Sequence, residues 1–568
     1  MLSKCLCGMM LAVCAADVAA QTFTLDARHL AQVNRQRRIF TQYDPAIDVL
    51  HEGGFGSDIG RVMEYVFAYA DQPGSQLDAI CIDVSNEGVA HYRSKLLPAI
   101  QHRGLVKWRQ EGIDYFDRFT QEGHRRGKEI WWGLRMNEVE RGHQNGLDNT
   151  SVTMAEQSPV KAAHPDWLIR SWWWQGFWNY AVPDVREYRL KLIEEVVQQY
   201  DFDGVHLDFL RHTPHLAPGP PWKLRHHLTR FLADVRTMLQ KRAAERGRPI
   251  LLAVRVPDSV AGANNDGLDV ETWAQLRLVD VMVLGTRTID VDVASFKRAT
   301  TGTPVKLIPS FDSYHATDGY QGTQPIELLR GVFGNYWHQG ADSVGMFNQP
   351  AGPPEHGQRI GIRRPSGGIQ PTRASIAQAI STVGSIETIA GQPRFYALDR
   401  RSGYLFGEGY FSSNLGAPLP VALRNDESPA RLTLPVWEPV KTGTDVRLRV
   451  VADQAETRDP GVNLPADRPP SDKDEFAATL NGVALKLDTY DPGWKDSRLY
   501  SPKPQPETIT YDTINRDTEH QRLLRLEFIV PAEALKRGAN EIAVSVRRTG
   551  AFPPRKFVSV EKVELHLK

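Results

Sequence analysis

From about residue 37 to 350, short apolar runs of strand character alternate with amphipathic stretches that repeat at helical spacing. The apolar runs are RIFTQYD from Arg38, LDAICIDVSNEG from Leu77, EIWWGLRMNEV from Glu129, FDGVHLDFLR from Phe202, PILLAVRVPDS from Pro249, VDVMVLGTRT from Val279, PVKLIPSFDS from Pro304 and ADSVGMFNQ from Ala341. Between them Leu224, Leu228, Phe231, Leu232, Val235, Met238 and Leu239 share one face of a helix that ends near Gly247. Asp184 with Glu187 resembles a capping box, opening a helix on which Tyr188, Leu192, Val196 and Tyr200 recur every four residues. Eight near-continuous apolar strands alternating with helices predict an α/β fold, a parallel (β/α)8 TIM barrel, with a doubly wound open sheet as the alternative.

Beyond a last helical stretch around Thr372 to Ile389 the texture changes. From about Gln392 the chain carries short alternating segments punctuated by Pro, Gly and Asn-Gly, and Asn481-Gly482 between two alternating runs predicts a hairpin. An all-β sandwich over 392–568 therefore follows a barrel domain over 21–391. The stretch from Asp453 to Asp474, rich in Pro and Asp, is expected to be a long loop or insertion.

At 568 residues the chain is long enough for at least two domains. Residues 1–20 read as a secretory leader: Lys4 near the start, an apolar stretch through Leu11, Ala12 and Val13, and a small-residue exit at Val18-Ala19-Ala20. Val13 before Cys14 is a poor fit to a lipoprotein processing site. Cys5, Cys7 and Cys14 fall within this leader, so an exported, secreted or periplasmic product keeps Cys81 alone and forms no internal disulfide. No later stretch approaches the ~20 apolar residues that span a bilayer. Lys+Arg and Asp+Glu both number 68, without the basic surplus a nucleic-acid partner demands. The 13 tryptophans suit the apolar faces of sugar rings, and equally an ordinary core.

The candidate chemistry centres on YDFDGVHLDFLRH, Tyr200 to His212. Strand alternation puts His206 and Asp208 on one side, with Val205, Leu207 and Phe209 on the other. Polar residues at the carboxyl end of a barrel strand face the active mouth, and an ionised carboxylate there can attack or stabilise an oxocarbenium-like centre. The plain structural alternative is a salt bridge from Asp208 to Arg211.

FDGVHLDFLRHTP resembles the strand-four signature of the glycosyl-hydrolase-like family ten group, bacterial proteins distinct from the family ten xylanases. HPDWLIRS at His164, NYAVPDVREYRL at Asn179 and GLDVETW at Gly267 resemble further elements of that group, and the resemblance runs from about Arg38 to Asn348. It implies a TIM barrel acting on a polysaccharide or oligosaccharide, without fixing which sugar. Asp208 also occupies the nucleophile position of retaining α-glycosidase barrels, with His206 where a basic residue is common; this is an analogy of position.

A glycosidase needs a second carboxyl, about 5–5.5 Å from a nucleophile or about 6.5–9.5 Å from a base. Asp258, turned by Pro257 after strand five, is the preferred proton donor, and Glu138 after strand three the next. Asp83 and Glu87 on strand two and Asp312 on strand seven are further strand-end acids. Arg135, Asn137 and Arg255 read as donors to substrate hydroxyls or to a carboxylate or sulfate, or as ion-pair partners of Asp208. Asn348 and Gln349 can serve the same end, with Arg211 beside them. SWWWQGFWNY concentrates Trp173, Trp174 and Trp178 in one loop, a stacking wall for sugar rings in which two of the four tryptophans act as buried anchors; Tyr314 and His315 complete it. His226-His227 and His212 with His215 lack metal-ligand spacing, so no metal or cofactor is expected, and no spacing demands calcium. Three readings stay open: an exported glycoside hydrolase built on Asp208, a carbohydrate-binding barrel without cleavage, and a polysaccharide lyase or deacetylase using His206 or His212 as base.

Overall fold

The structure, a computed structural model, describes residues 22–44, 58–84, 88–99, 103–138, 158–173, 175–285, 288–312, 320, 325–347, 372–400, 417–424, 427–453, 474–494, 496, 499, 523–548 and 557–568. The leader-like residues, Glu87, Trp174, Tyr314, His315, Asn348, Gln349 and nearly all of the Pro- and Asp-rich stretch lie outside them.

The eight expected strands form: β1 Ile39–Tyr43, β2 Leu77–Val84, β3 Glu129–Arg135, β4 Gly204–Asp208, β5 Leu251–Val256, β6 Val281–Leu284, β7 Lys306–Asp312 and β8 Val344–Phe347. All pair in parallel and close into a barrel. The register sets which side chains meet inside. Gln42 pairs with Cys81, Cys81 with Trp131, Trp131 with Gly204 and Gly204 with Leu251. Carried on round, this path returns to β1 eight residues below its start, the stagger of a (β/α)8 barrel. A level ring therefore climbs one residue per strand, and each interior layer draws on alternate strands. One lower layer is apolar, with Phe40, Trp131, Ala253 and Ile308, and the next sets His206 beside Cys81, Val283 and Gly345. Above them come Gln42, Gly133, Arg255 and Ser310, and then Asp83, Asp208, Gly285 and Phe347.

The helix Ala27–Val33 closes the amino-terminal end of the barrel: Val33 joins the interior apolar cluster, and His29 bonds Asp280 at 2.8 Å. Asp280 is also held by Arg236 at 2.9 Å and by the Leu252 amide. On the outside, Val205, Leu207 and Phe209 pack among the helices, as the alternation requires. Helix His226–Arg246 buries Leu228, Phe231, Leu232, Val235, Met238 and Leu239 and stops at Gly247; Leu224 belongs to a separate short turn, Pro221–Leu224. Helix Pro183–Gln199 starts one residue before the expected capping box: Pro183 takes the first position and Asp184 sits within the first turn, where its charge suits the helix dipole instead of capping.

After helices Thr372–Thr382 and Ile386–Ile389 the strands are antiparallel. One sheet orders Arg394–Ala397, Phe557–Leu567, Val446–Asp453, Leu523–Val530 and Lys486–Asp491, with Val421–Arg424 also on Phe557–Leu567. The other orders Ala430–Val436, Gly538–Arg548, Asp474–Leu480 and Val483–Ala484. Leu432, Leu434 and Ile542 from the second sheet meet Leu448, Val450 and Phe528 from the first in one sandwich core. Asn481 and Gly482, at φ 51° and 84°, form the two-residue turn between Asp474–Leu480 and Val483–Ala484. The sandwich docks through helix Ile326–His338: Asn335 donates to the Pro435 carbonyl at 2.8 Å and accepts from the Trp437 amide at 2.9 Å. No helix among the described residues is long and apolar enough to cross a membrane.

Candidate active site

The charged layers at the carboxyl ends of the strands bring several expected residues together. Asp208 is 0% exposed. Its Oδ1 accepts from the Leu210 and Arg211 amides at 2.8 and 3.0 Å, which fixes the turn leaving β4. Its Oδ2 lies 3.0 Å from the Arg255 guanidinium. The charge partner of Asp208 is thus Arg255, while the neighbouring Arg211 meets it through its backbone amide. The Arg255 guanidinium also covers the Phe347 ring at 3.8 Å and donates to Gln42 at 3.3 Å.

Asp83 is the other carboxyl of this layer. Its Oδ2 accepts from Gln42 Nε2 at 3.0 Å and from Arg135 Nε at 3.1 Å, whereas Oδ1 is buried without a partner. Burial pushes this carboxyl up to about 6; Arg135 opposes the rise, and the charges of Asp208 and Asp44 add to it. Arg135 spans three acids, bonding Asp44 at 2.6 Å and Glu138 as well as Asp83. Burial alone would raise the Glu138 carboxyl, but Arg135, His212 and Arg211 hold it well below the usual carboxylate range, with His212 Nδ1 3.1 Å away. Glu138 is therefore an ion-pair anchor, ill suited to donate a proton near neutrality. His206 stands two layers beneath Asp208, level with Cys81 and Val283, with its ring 6.1 Å from Phe40 and neither nitrogen hydrogen-bonded; burial lowers it to about 4 and keeps it neutral.

Other expectations meet a different arrangement. Asp258 joins an acidic set beside the sandwich, lining a groove of about 280 Å³ with Thr288, Asp290, Asp292 and Asp399, and its backbone carbonyl binds the Asp292 amide. The chain turns there into helix Val260–Asn265, which Ser259 caps, and this carries Asp258 toward the sandwich. Asn137 is consumed by structure: it donates to the Pro214 carbonyl and to His215 and accepts from the Trp178 amide. Trp173 and Trp178 are 5% and 1% exposed. Trp178 packs against Trp167 and Tyr188 with Lys161 over its ring, so both indoles anchor the ribbon made by Leu168–Ile169 and Phe177–Trp178 and are not an open wall. Trp172 is half-buried, its ring 6.1 Å from that of His212. Asp312 ends β7 in register with Phe347.

The sequence reading missed Gln42 and Asp44. The rule applied to strand four finds them: in Phe40-Thr41-Gln42-Tyr43-Asp44, alternate residues turn polar toward the carboxyl end. It also gave no role to His215, whose Nε2 bonds the Phe209 carbonyl at 2.7 Å while Nδ1 faces Asn137 at 3.1 Å, pinning the β4 loop. Among the described residues no group of three or more His, Cys, Asp or Glu side chains is arranged to hold a metal ion.

Residues 64–217 match the family described as Glycosyl hydrolase-like 10. This bears out the resemblance over a narrower span than the sequence suggested, containing Asp83, Arg135, Glu138, His206 and Asp208 but neither Gln42 nor Arg255. The Glycosyl hydrolase YngK of Bacillus subtilis (strain 168) is 25% identical over 147 residues, 26% of this chain and 27% of that protein. Among solved structures, α-L-fucosidase isoenzyme 2 from Paenibacillus thiaminolyticus aligns with a TM-score of 0.39 at 14% identity, covering 65% of this chain and 52% of its own. An Anoxybacillus α-amylase aligns with a TM-score of 0.37 at 12% identity, covering 91% and 99%. The chain thus spans about a quarter of the curated relative and about half of the fucosidase.

Proposed function

We propose that the protein hydrolyses glycosidic bonds of a polysaccharide or oligosaccharide at the carboxyl-terminal mouth of its barrel, with Asp208 as the essential carboxylate. The observation that carries this reading is the fixing of Asp208 by Arg255 and two backbone amides at the end of β4, within the segment that resembles glycosyl hydrolases. A carboxylate held in one orientation by donors that need no reorganisation suits attack on, or stabilisation of, an oxocarbenium-like centre. Glu138 and Arg135 then position the mouth, and Asp258 belongs to the contact with the sandwich. On the leader pattern of residues 1–20 the protein works outside the cytoplasm; cell fractionation with an antibody to the chain tests that placement.

The test is incubation with a panel of polysaccharides and aryl glycosides, following reducing ends or released phenol. The wild-type protein is expected to cleave at least one member, and Asp208→Asn to lose about 10³-fold or more while still binding it. Full activity in Asp208→Asn overturns the role of Asp208.

One observation favours a second reading, sugar binding without cleavage: Asp208 is wholly enclosed and its charge is matched by Arg255. Binding across the panel with no bond broken decides for it. The lyase and deacetylase readings have less support, because His212 is tied to Glu138.

A further inference from the structure

We infer that Asp83 is the proton-transferring partner of Asp208; this rests on the hydrolase reading above. The barrel stagger places the two carboxyls as adjacent members of one four-residue layer, from β2 and β4. The remaining corners are Gly285, which brings no side chain, and Phe347, whose ring face stacks on the Arg255 guanidinium. Each carboxyl is held from a different neighbouring layer, Asp208 by Arg255 below and Asp83 by Arg135 above.

One oxygen of Asp83 stays uncommitted. Gln42 and Arg135 both bind Oδ2, leaving Oδ1 buried and unpartnered, an unfavourable arrangement that a guest donating to or accepting from it relieves. The groups facing Asp83 are Gln42 and Asp44 from β1 and its exit, Arg135 from β3, Asp208 from β4, Arg255 from β5 and Cys81 on its own strand. In that company Asp83 is pushed up to about 6 and carries its proton under mildly acidic conditions, as a general acid must.

The step balances as follows. The bond between the anomeric carbon and the leaving oxygen breaks, its electron pair stays on the oxygen, and the proton of Asp83 goes to that oxygen. Water supplies the hydroxyl that ends on the anomeric carbon, and its remaining proton restores Asp83. Asp208 bears or stabilises the positive centre between these events.

The experiment compares wild-type protein, Asp83→Asn and Asp208→Asn on paired 2,4-dinitrophenyl and phenyl glycosides of the same sugars, across pH 4 to 8. A dinitrophenolate leaves without a proton, so Asp83→Asn is expected to lose about 10²–10⁴-fold on the phenyl substrates, less than about tenfold on the dinitrophenyl ones, and the basic limb of its pH profile. Asp208→Asn is expected to lose activity on both. Equal losses on both leaving groups, or an intact basic limb, overturn the assignment of Asp83 while leaving the hydrolase reading standing. Infrared titration of the wild-type minus Asp83→Asn carboxyl band reads the site apart from turnover: a proton leaving near pH 6 supports the assignment, and one leaving below pH 4 ends it. Wild-type protein inert on every glycoside defeats the hydrolase reading and this one with it.

Discussion

Gln42 and Asp83 are joined by a 3.0 Å hydrogen bond, and the other end of the same amide accepts from Arg255. One neutral side chain on strand one thereby ties together the two ion pairs of the site, Asp83 with Arg135 and Asp208 with Arg255. Gln42→Leu removes both bonds at little change in volume. On the proposed reading it lowers kcat by about tenfold or more with KM nearly unchanged, and shifts the basic limb of the pH profile. Gln42→Glu, which sets a charge beside Asp83, moves that limb to higher pH.

The Arg255–Asp208 pair is buried on both sides. Replacing one member leaves the other charge unmatched in the barrel, so Arg255→Leu is expected to cost about 3–5 kcal/mol in urea unfolding. The double variant Arg255→Leu/Asp208→Leu recovers most of that loss. A double variant as unstable as the single one contradicts the pairing.

Burial lowers His206 and His215 to about 4, below the ~6.5 of an exposed histidine. The unfolded chain takes up protons between those values that the folded chain refuses, so their contribution is complete above pH 6.5 and lost as pH falls toward 4. Each accounts for up to about 3 kcal/mol. Asp83 runs the other way, its contribution being present below about pH 4 and lost as pH rises through about 6. His215→Gln is expected to shrink the stability difference between pH 7 and pH 4.5, measured by urea midpoints.

Asp399 enters the barrel from the sandwich, accepting from the Thr288 hydroxyl and from the Ile289 amide at 3.2 Å. Burial raises it to about 7; those hydrogen bonds oppose the rise, and Asp290 and Asp258 add to it. A carboxyl raised in the folded state stabilises below its unfolded value of ~3.9 and loses that contribution as pH climbs through 7. Asp399→Asn keeps the side chain neutral, and is expected to raise stability by about 2–4 kcal/mol at pH 8 with little effect at pH 4.5. Thermal unfolding at the two pH values checks it.

Much of this was legible in the chain. The eight apolar runs, the buried face of His226–Arg246, the Asn481-Gly482 turn and the inward side of His206 and Asp208 follow from local periodicity, which the sequence carries directly. The partner of Asp208 did not follow, because it depends on the stagger between strands, a property of the closed sheet that no single strand records. Arg211 is nearer in sequence; Arg255 is the register partner of Asp208 on the neighbouring strand. The tryptophans of residues 171–180 were only partly legible: two buried anchors were expected and Trp173 and Trp178 are buried, but indoles that suit a sugar face suit a core equally, so the sequence does not say which of the four they are. Asp258 was misplaced because Pro257 and the helix after it redirect the chain within three residues.

The helix Ala27–Val33 carries a consequence for traffic. With its interior filled by side-chain layers and its amino-terminal end stoppered by Val33 and by the His29–Asp280 bond, the barrel axis offers no passage, so on the proposed reading a polymer is met only at the carboxyl-terminal mouth. On that reading substrate and product enter and leave from the same face of the barrel.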